Sequence, residues 1–417
     1  MTSQTCNHAA VPIAPPPDPK VPALEVLLGS DAPDVLSTAL SATDSVVHEA
    51  RASQVRYLPG KSVTVQYRGT IRDAEGITRK GIMVASSGVP TPEGTTVLES
   101  GDIRIAVWRF PDDPFLPGLA PASDPPRTAD LLTRLGIPTD SVKIRTRAYR
   151  AGRRAVLQAG SDAGTIYIKV LRPGRIAALQ RLHVELAPHL SIPHSLGWSE
   201  KLGIVAMQAL GGDTLRHSLE NGVLELPSPE ALNNLLDQFP DPSPNAKKVA
   251  GAHQRAAEHA GLLRAVLPAA SGQLDTIIAG VSEVGSDDPP VAVHGDYHAS
   301  QVLIDAGRIV GLVDVDTAGI GQRADDLASI LGQLATVASV AKNPAPIDEY
   351  RALLLDDFGH RTDPMSLKRR VAGVILGLAT GPFRVQLPDW PEATARRLAL
   401  ARKWLDSANP GKTRINP

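Results

Sequence analysis

The stretch VAVHGDYHASQVLI, residues 291–304, sets His294, Asp296, His298 and Gln301 between two apolar runs, and the following RIVGLVDVD ends in Asp314 and Asp316. In a strand, residues two apart point the same way, so Asp314 and Asp316 share one side. Like-charged carboxylates that close repel, and each holds a proton more tightly unless a cation lies between them. A divalent metal is such a cation. With the carboxamide oxygen of Gln301, the pair forms a hard-oxygen ligand set suited to Mg²⁺. Asp296 is then free to act as a base toward a hydroxyl group. Two other readings compete. His294 and His298, four apart, could bind zinc with Asp296, although Gly295 argues against the helix that such spacing serves best. Asp314 and Asp316 could also be a solvated strand end.

The elements that must position these groups are legible in outline. Apolar spacing from about Pro22 to Leu40 predicts helix, and strand-like stretches follow, in which Val63, Val65 and Tyr67 alternate with polar residues. FPDDPFLPGLAPASDPPRTAD, rich in Pro and Asp, reads as a surface connection, which places a domain boundary within residues 111–140. A second strand-rich unit starts at VKIRTRAYRAGRRAVLQAG. Its Tyr149, Gly152 and Gln158 match Tyr57, Gly60 and Gln66 at one constant offset, with a basic residue after each glycine. A duplicated hairpin unit and two unrelated hairpins with similar turn chemistry both account for this. From Pro229 onward the pattern is mainly helical, broken by the polar motif. The whole is an α+β, two-lobed layout.

Composition narrows the class of function. Of 417 residues, 43 are Lys or Arg and 44 are Asp or Glu, a formal net charge of −1. No global basic field exists to hold nucleic acid or an anionic membrane. The one cysteine, Cys6, excludes an intramolecular disulfide and a multi-cysteine zinc site. The opening residues lack a secretory pattern, and no uncharged run is long enough to span a bilayer, so a cytoplasmic protein is expected.

Asp296 with Gln301 five residues on, after His294, resembles the H-x-D-x-x-x-x-N loop of the aminoglycoside phosphotransferase and choline kinase-like family. Asp314 then resembles that family's metal-binding aspartate, and RADDLA (Arg323 to Ala328) the segment after it. Gln301 in place of Asn, within HGDxHxxQ and with an added N-terminal region, is similar to bacterial maltokinases and glucosamine kinases. The resemblance spans roughly residues 140–405.

It implies a two-lobed protein-kinase-like fold with a β-rich N-lobe, a helical C-lobe and an additional N-terminal α+β cap. The expected divisions are a flexible Pro-rich tail (1–25), a cap (26–135), a nucleotide-binding lobe (136–210) and a helical lobe (211–417). It also implies ATP and Mg²⁺ as cofactors. Lys169 would hold the phosphates, with Glu185, the one acid between Asp162 and Glu200, orienting it. Gly152 with Arg153 or Arg154 would cover the phosphates, and Gln208 to Leu210 would form the adenine hinge. Asp296 would take the acceptor's proton, Gln301 and Asp314 would hold Mg²⁺, and Asp316 would bind a second metal or the substrate. His298 would touch substrate or brace the turn.

Trp390 and Trp404 are either core or, for Trp404, a sugar platform. Asp325 and Asp326 either cap a helix or support the site. The expected function is phosphorylation of a sugar or amino-sugar hydroxyl, with glucosamine leading and maltose next. Aminoglycosides are less favoured because the C-terminal stretch is basic. A nucleotide-binding pseudokinase scaffold is the rival from another class. A monomer or weak homodimer is expected.

Overall fold

Alternating apolar residues make the first sheet, and the computed structural model, which describes residues 13–41, 45–72, 75–162, 164–242, 246–285 and 289–409, shows where each face goes. The chain divides into two compact units. The first runs to Phe110 and is joined by Gly261–Ala270 and Thr380–Arg396. It contains helices α1 (Ala23–Leu28) and α2 (Ala32–Leu40), then strands β1 (Val46–Leu58), β2 (Ser62–Arg72), β3 (Thr78–Ser87), β4 (Thr96–Ser100) and β5 (Ile103–Arg109). The antiparallel sheet has the order β1-β2-β3-β5-β4. Val55, Tyr57, Val63, Val65 and Tyr67 enter one core with Leu24, Leu27 and Leu36 of the helices. Val266, Phe383 and Trp390 complete that core from far along the sequence.

The second unit begins at Pro111. Helices α3 (Leu119–Ser123) and α4 (Pro125–Arg134) lead into strands β6 (Lys143–Arg150), β7 (Arg154–Ser161) and β8 (Gly164–Leu171). Helix α5 (Ile176–Leu186) follows, then β9 (Ser195–Ser199) and β10 (Ile204–Gln208), and the sheet order is β6-β7-β8-β10-β9. The Asp124 carboxylate caps α4 by accepting from the Arg127 N–H at 3.1 Å, satisfying one of the helix's unpaired donors.

Beyond this lobe come β11 (Asp213–Thr214), α6 (Leu215–Glu220), α7 (Pro229–Asp237), α8 (Ala256–Val266) and α9 (Ser271–Ser282). Four short strands, β12 (Val291–Val293), β13 (Val302–Asp305), β14 (Arg308–Leu312) and β15 (Gly319–Gly321), form a three-stranded sheet β11-β13-β14 and a pair β12-β15. Helices α10 (Arg323–Ala338), α11 (Ala345–Arg361), α12 (Pro364–Leu378), α13 (Gly381–Arg384) and α14 (Trp390–Ala408) end the chain. A β-rich lobe followed by a helical lobe is the two-lobed α+β layout expected from the sequence. Among the described residues no helix is long and apolar enough to cross a membrane.

Two expected boundaries move. Residues 111–135, assigned to the N-terminal domain, count with the second unit. The Pro-rich tail also ends sooner: residues 1–12 lie outside the described residues, but Asp18 bonds Tyr57 and Gly60, and Val21 and Leu24 are buried.

Candidate active site

Lys169 sits on β8 opposite in sense to Ile166, Ile168 and Val170, which face the lobe's interior with almost no exposure. Its own face pairs with Val156 of β7 and Val205 of β10. Ile176 and Leu179 of α5 pack there with Val205 and Met207, so the lysine stem is buried and only its ammonium reaches a polar partner. That partner is a pair. Nζ lies 2.9 Å from Asp314 Oδ1, and 2.8 and 2.7 Å from the two oxygens of Asp316. The like-charged carboxylates thus converge on a cation supplied by the protein. Burial works against both charged forms, but the contacts outweigh it: the Lys169 pKa is raised, and the Asp314 carboxyl is held down to about 2 by Lys169, Arg154 and Gln301.

The turn that carries these acids is specific. Asp314 takes a left-handed backbone (φ 57°) and starts the 3-10 turn Val315–Thr317. A non-glycine residue pays for that conformation, a mark often found at working sites.

The loop between β12 and β13 carries the other groups. His294 is fully buried, and its ring sets the loop: Nδ1 accepts from the Asp296 N–H at 3.2 Å, so Nε2 donates to the Val313 carbonyl at 3.1 Å. Gly295 has φ +79°, and a Cβ there would lie 2.7 Å from the Thr317 carbonyl oxygen, so only glycine fits. The Asp326 carboxylate, on the first turn of α10, accepts from the N–H groups of His294 (2.7 Å) and Gly295 (2.9 Å). Tyr297 is buried and donates to the Leu232 carbonyl, tying the loop to α7. This loop is held by hydrogen bonds, with no zinc-like cluster. Among the described residues no three His, Cys, Asp or Glu side chains form a metal-holding group.

What stays exposed is Asp296, whose side chain is 50% accessible. His298 Nε2 lies 3.8 Å from its Oδ1 and 3.3 Å from Gln301 Nε2. Gln301 in turn lies 3.4 Å from Asp314 Oδ2. Burial lowers the His298 pKa despite the nearby Asp296. With Nδ1 accepting from the Ser300 N–H, the neutral ring carries its proton on Nε2, facing Gln301. A Gln301 carboxamide turned oxygen-first would accept that proton and leave Asp314 open to a cation. Asp314 and Gln301 therefore suit Mg²⁺ by donor chemistry, whereas both oxygens of Asp316 are engaged by Lys169.

Several expected site residues fall elsewhere. Glu185 is exposed on α5, off its buried face of Ile176, Leu179, His183 and Leu186, and it does not orient Lys169. Asp316 does. His183 is the polar residue on that face: its Nδ1 meets the Pro193 carbonyl at 3.2 Å, Nε2 has no hydrogen-bond partner, and burial lowers its pKa against the pull of Asp316. The sequence signal for it was a histidine on the apolar stripe of a helix. Asp326 carries the same signal on α10, an acid on the stripe with Ile330 and Leu334.

Gly152 forms the β6–β7 turn (φ +65°), as expected, and Arg153 on that turn is exposed. Arg154 is the turn arginine whose charge acts on Asp314. In the expected hinge segment, the Gln208 N–H bonds the His194 carbonyl at 2.9 Å and the Ala209 N–H bonds the Thr165 carbonyl at 3.3 Å. Trp404 is 6% exposed, with the Arg351 guanidinium 5.5 Å from its ring centre. It lines a cavity of about 440 Å³ with Ala335 and Ala338, at the end of α10 away from Asp326. At 1.5 Å per residue that end is roughly 15 Å from the loop, so Trp404 is no acceptor platform. Trp390 is core.

Residues 176–364 match the sequence model described as the phosphotransferase enzyme family. No curated protein matches the chain in sequence. Among solved structures, the chain resembles a thermostable mutant of aminoglycoside phosphotransferase APH(4)-Ia in ternary complex with ADP and hygromycin B, at 14% identity over 69% of this chain and 98% of that one, with a TM-score of 0.47. It resembles spectinomycin phosphotransferase APH(9)-Ia in complex with ADP and spectinomycin at 14% identity over 69% and 98%, TM-score 0.46. Macrolide 2'-phosphotransferase MphH from Brachybacterium faecium is similar at 18% identity over 65% and 97%, TM-score 0.39.

Proposed function

We propose that this chain, whose residues 176–364 match the model of the phosphotransferase enzyme family, transfers the γ-phosphate of ATP to a hydroxyl of a small polyhydroxylated acceptor. One observation carries the reading: a continuous path of side-chain contacts runs from buried Lys169 through Asp314, Gln301 and His298 to exposed Asp296. Phosphoryl transfer needs such a path, because its catalysis is mostly positioning and neutralisation of phosphate charge. Lys169, kept charged and oriented by Asp316, supplies one cation to the nucleotide phosphates. Asp314 and Gln301 are the residues that would hold Mg²⁺, which when bound neutralises further phosphate charge. Asp296, facing solvent beside neutral His298, orients the acceptor hydroxyl and takes its proton as the oxygen bonds to the γ-phosphorus and ADP leaves with the bridging oxygen.

Glucosamine remains the first acceptor to try, with maltose beside it. Aminoglycosides move up to equal standing for a structural reason. Four of the basic C-terminal residues that argued against a cationic acceptor lie against carboxylates: Arg369 by Glu283, Arg370 by Asp325, Arg396 by Asp389 and Arg402 by Asp406. The test is ADP release from MgATP over a panel of glucosamine, maltose and representative aminoglycosides. Acceptor-dependent turnover is expected. Tight MgATP binding without turnover on any acceptor would point to the pseudokinase scaffold instead.

A further inference from the structure

The turn of the nucleotide lobe is fixed from outside its sheet. The Asp113 carboxylate, 3% exposed and just before α3, receives the Tyr149 hydroxyl at 2.8 Å and the Gly152 N–H at 2.6 Å on one oxygen, and the Phe115 N–H at 2.9 Å on the other. Arg172 Nε donates to the Gly152 carbonyl, and its guanidinium lies 4.3 Å from the Phe115 ring centre. A Cβ on Gly152 would come within 3.1 Å of that ring.

The same device occurs in the first unit. Asp18 receives the Tyr57 hydroxyl at 2.7 Å and the Gly60 N–H at 2.7 Å on one oxygen, and the Lys20 N–H at 2.9 Å on the other. Both aspartates open a turn closed three residues later, by Val21 and by Leu116. The segments read DPKVPAL (18–24) and DPFLPGL (113–119). Both sheets take the strand order 1-2-3-5-4 within their unit, and Tyr57↔Val63 and Tyr149↔Ala155 pair in the same register. The first unit's sheet thus repeats the topology, the register and the aspartate clamp of the β6–β10 sheet. In its register Ser86 stands opposite Thr64 as Lys169 stands opposite Val156, and Ser86 is buried and bonded to Thr64. That sheet keeps the clamp and lacks the cation.

We propose that Asp113 and Tyr149 are positioning residues for MgATP: the clamp holds the β6–β7 turn in its nucleotide-binding form, a reading that rests on the phosphotransferase assignment. The first unit's sheet supplies an internal control, since Tyr57 makes the same bonds where no lysine waits. A turn that is competent only part of the time lowers apparent affinity by that fraction. Losing one hydrogen bond of ordinary net strength corresponds to about a five- to tenfold change.

The experiment uses the full chain and measures MgATP affinity by calorimetry and KM and kcat by ADP release. Tyr149→Phe should raise Kd and KM for MgATP about five- to tenfold and leave kcat and the acceptor KM within about twofold. Tyr57→Phe should lower thermal stability comparably and leave MgATP affinity unchanged. Asp113→Asn, which keeps size and one acceptor oxygen, should follow Tyr149→Phe. An unchanged Kd in Tyr149→Phe, or an equal rise in Tyr57→Phe, overturns the proposal. Wild-type protein that binds no MgATP defeats the phosphotransferase reading itself, and this one with it. Should the variants not fold, amide exchange on the wild type decides: MgATP should slow residues 150–154 and leave 58–62 unaffected, and equal behaviour of the two turns overturns the idea.

Discussion

Asp296 is the residue on which turnover should depend most sharply, because it alone along the contact path combines an exposed carboxylate with a backbone fixed by buried His294. Asp296→Asn keeps shape and removes the base, so kcat should fall on the order of 10²–10⁴-fold, while calorimetric MgATP affinity stays within about twofold. An Asn variant with wild-type turnover would remove the base role. Asp314 makes a different prediction, about pH. Its folded pKa, about 2, lies below the ordinary 3.8, so the stability it contributes is present above about pH 4 and is lost as pH falls through about 2. In acid unfolding without nucleotide, the gap between wild type and Asp314→Asn should be constant from pH 5 to 7 and close between pH 4 and 2. A gap that persists at pH 2 would mean that the Lys169 contact does not set the pKa. The polar residues of the loop were readable because Asp, Gln and His between apolar runs demand a purpose. What could not be read was that Lys169 itself would be the cation between Asp314 and Asp316, since 145 residues separate it from the first of them.

Strand β2 was legible from the alternation of Val63, Val65 and Tyr67, strands β6 and β7 from their likeness to that first hairpin, and β8 from its apolar run around Lys169. Helix α5 was misread because counting acids along the chain ignored which face they occupy. Ile176, Leu179, His183 and Leu186 follow the 3.6-residue period, and Glu185, about 100° from Leu186 on the helical wheel, does not. The same rule applied to α10 finds Asp326 on the buried stripe. That residue couples two elements, the first turn of α10 and the loop after β12. Its burial raises the carboxyl's pKa against the pull of two N–H donors and nearby positive charge. Asp326→Asn leaves one of those donors facing an NH₂ group, which should destabilise the fold by about 1–3 kcal/mol. Urea unfolding measures that loss. If the element serves the catalytic loop, kcat should fall more than the MgATP KM rises; equal changes in both would reduce Asp326 to a general support.

At the scale of the whole chain, the sequence showed half of this repeated arrangement. Tyr57, Gly60 and Gln66 announced the repeated hairpin, but the DPxxPxL segments lie in stretches read as a tail and a linker, where proline suggested disorder rather than a shared turn. Packing supplied what pattern could not. The first unit's core takes Val266, Phe383 and Trp390 from segments more than 150 residues beyond its last strand, with Leu262, Ala265 and Leu267 against it, and the Trp390 indole N–H donates to the Ile13 carbonyl at 2.9 Å. Each large apolar side chain gains about 1.5–3 kcal/mol on burial, so stripping three of them forfeits a sum comparable to the whole stability of an ordinary domain, about 5–15 kcal/mol. Residues 111–417, which contain these three side chains, are thus not expected to fold as an independent piece. Expression of residues 111–417 alone should give insoluble protein, or a soluble form that binds hydrophobic dyes and melts without a cooperative transition. A soluble 111–417 fragment with a sharp melt and wild-type MgATP affinity would show that these three side chains find other cover, and that the first unit is an appendage rather than a part of the fold.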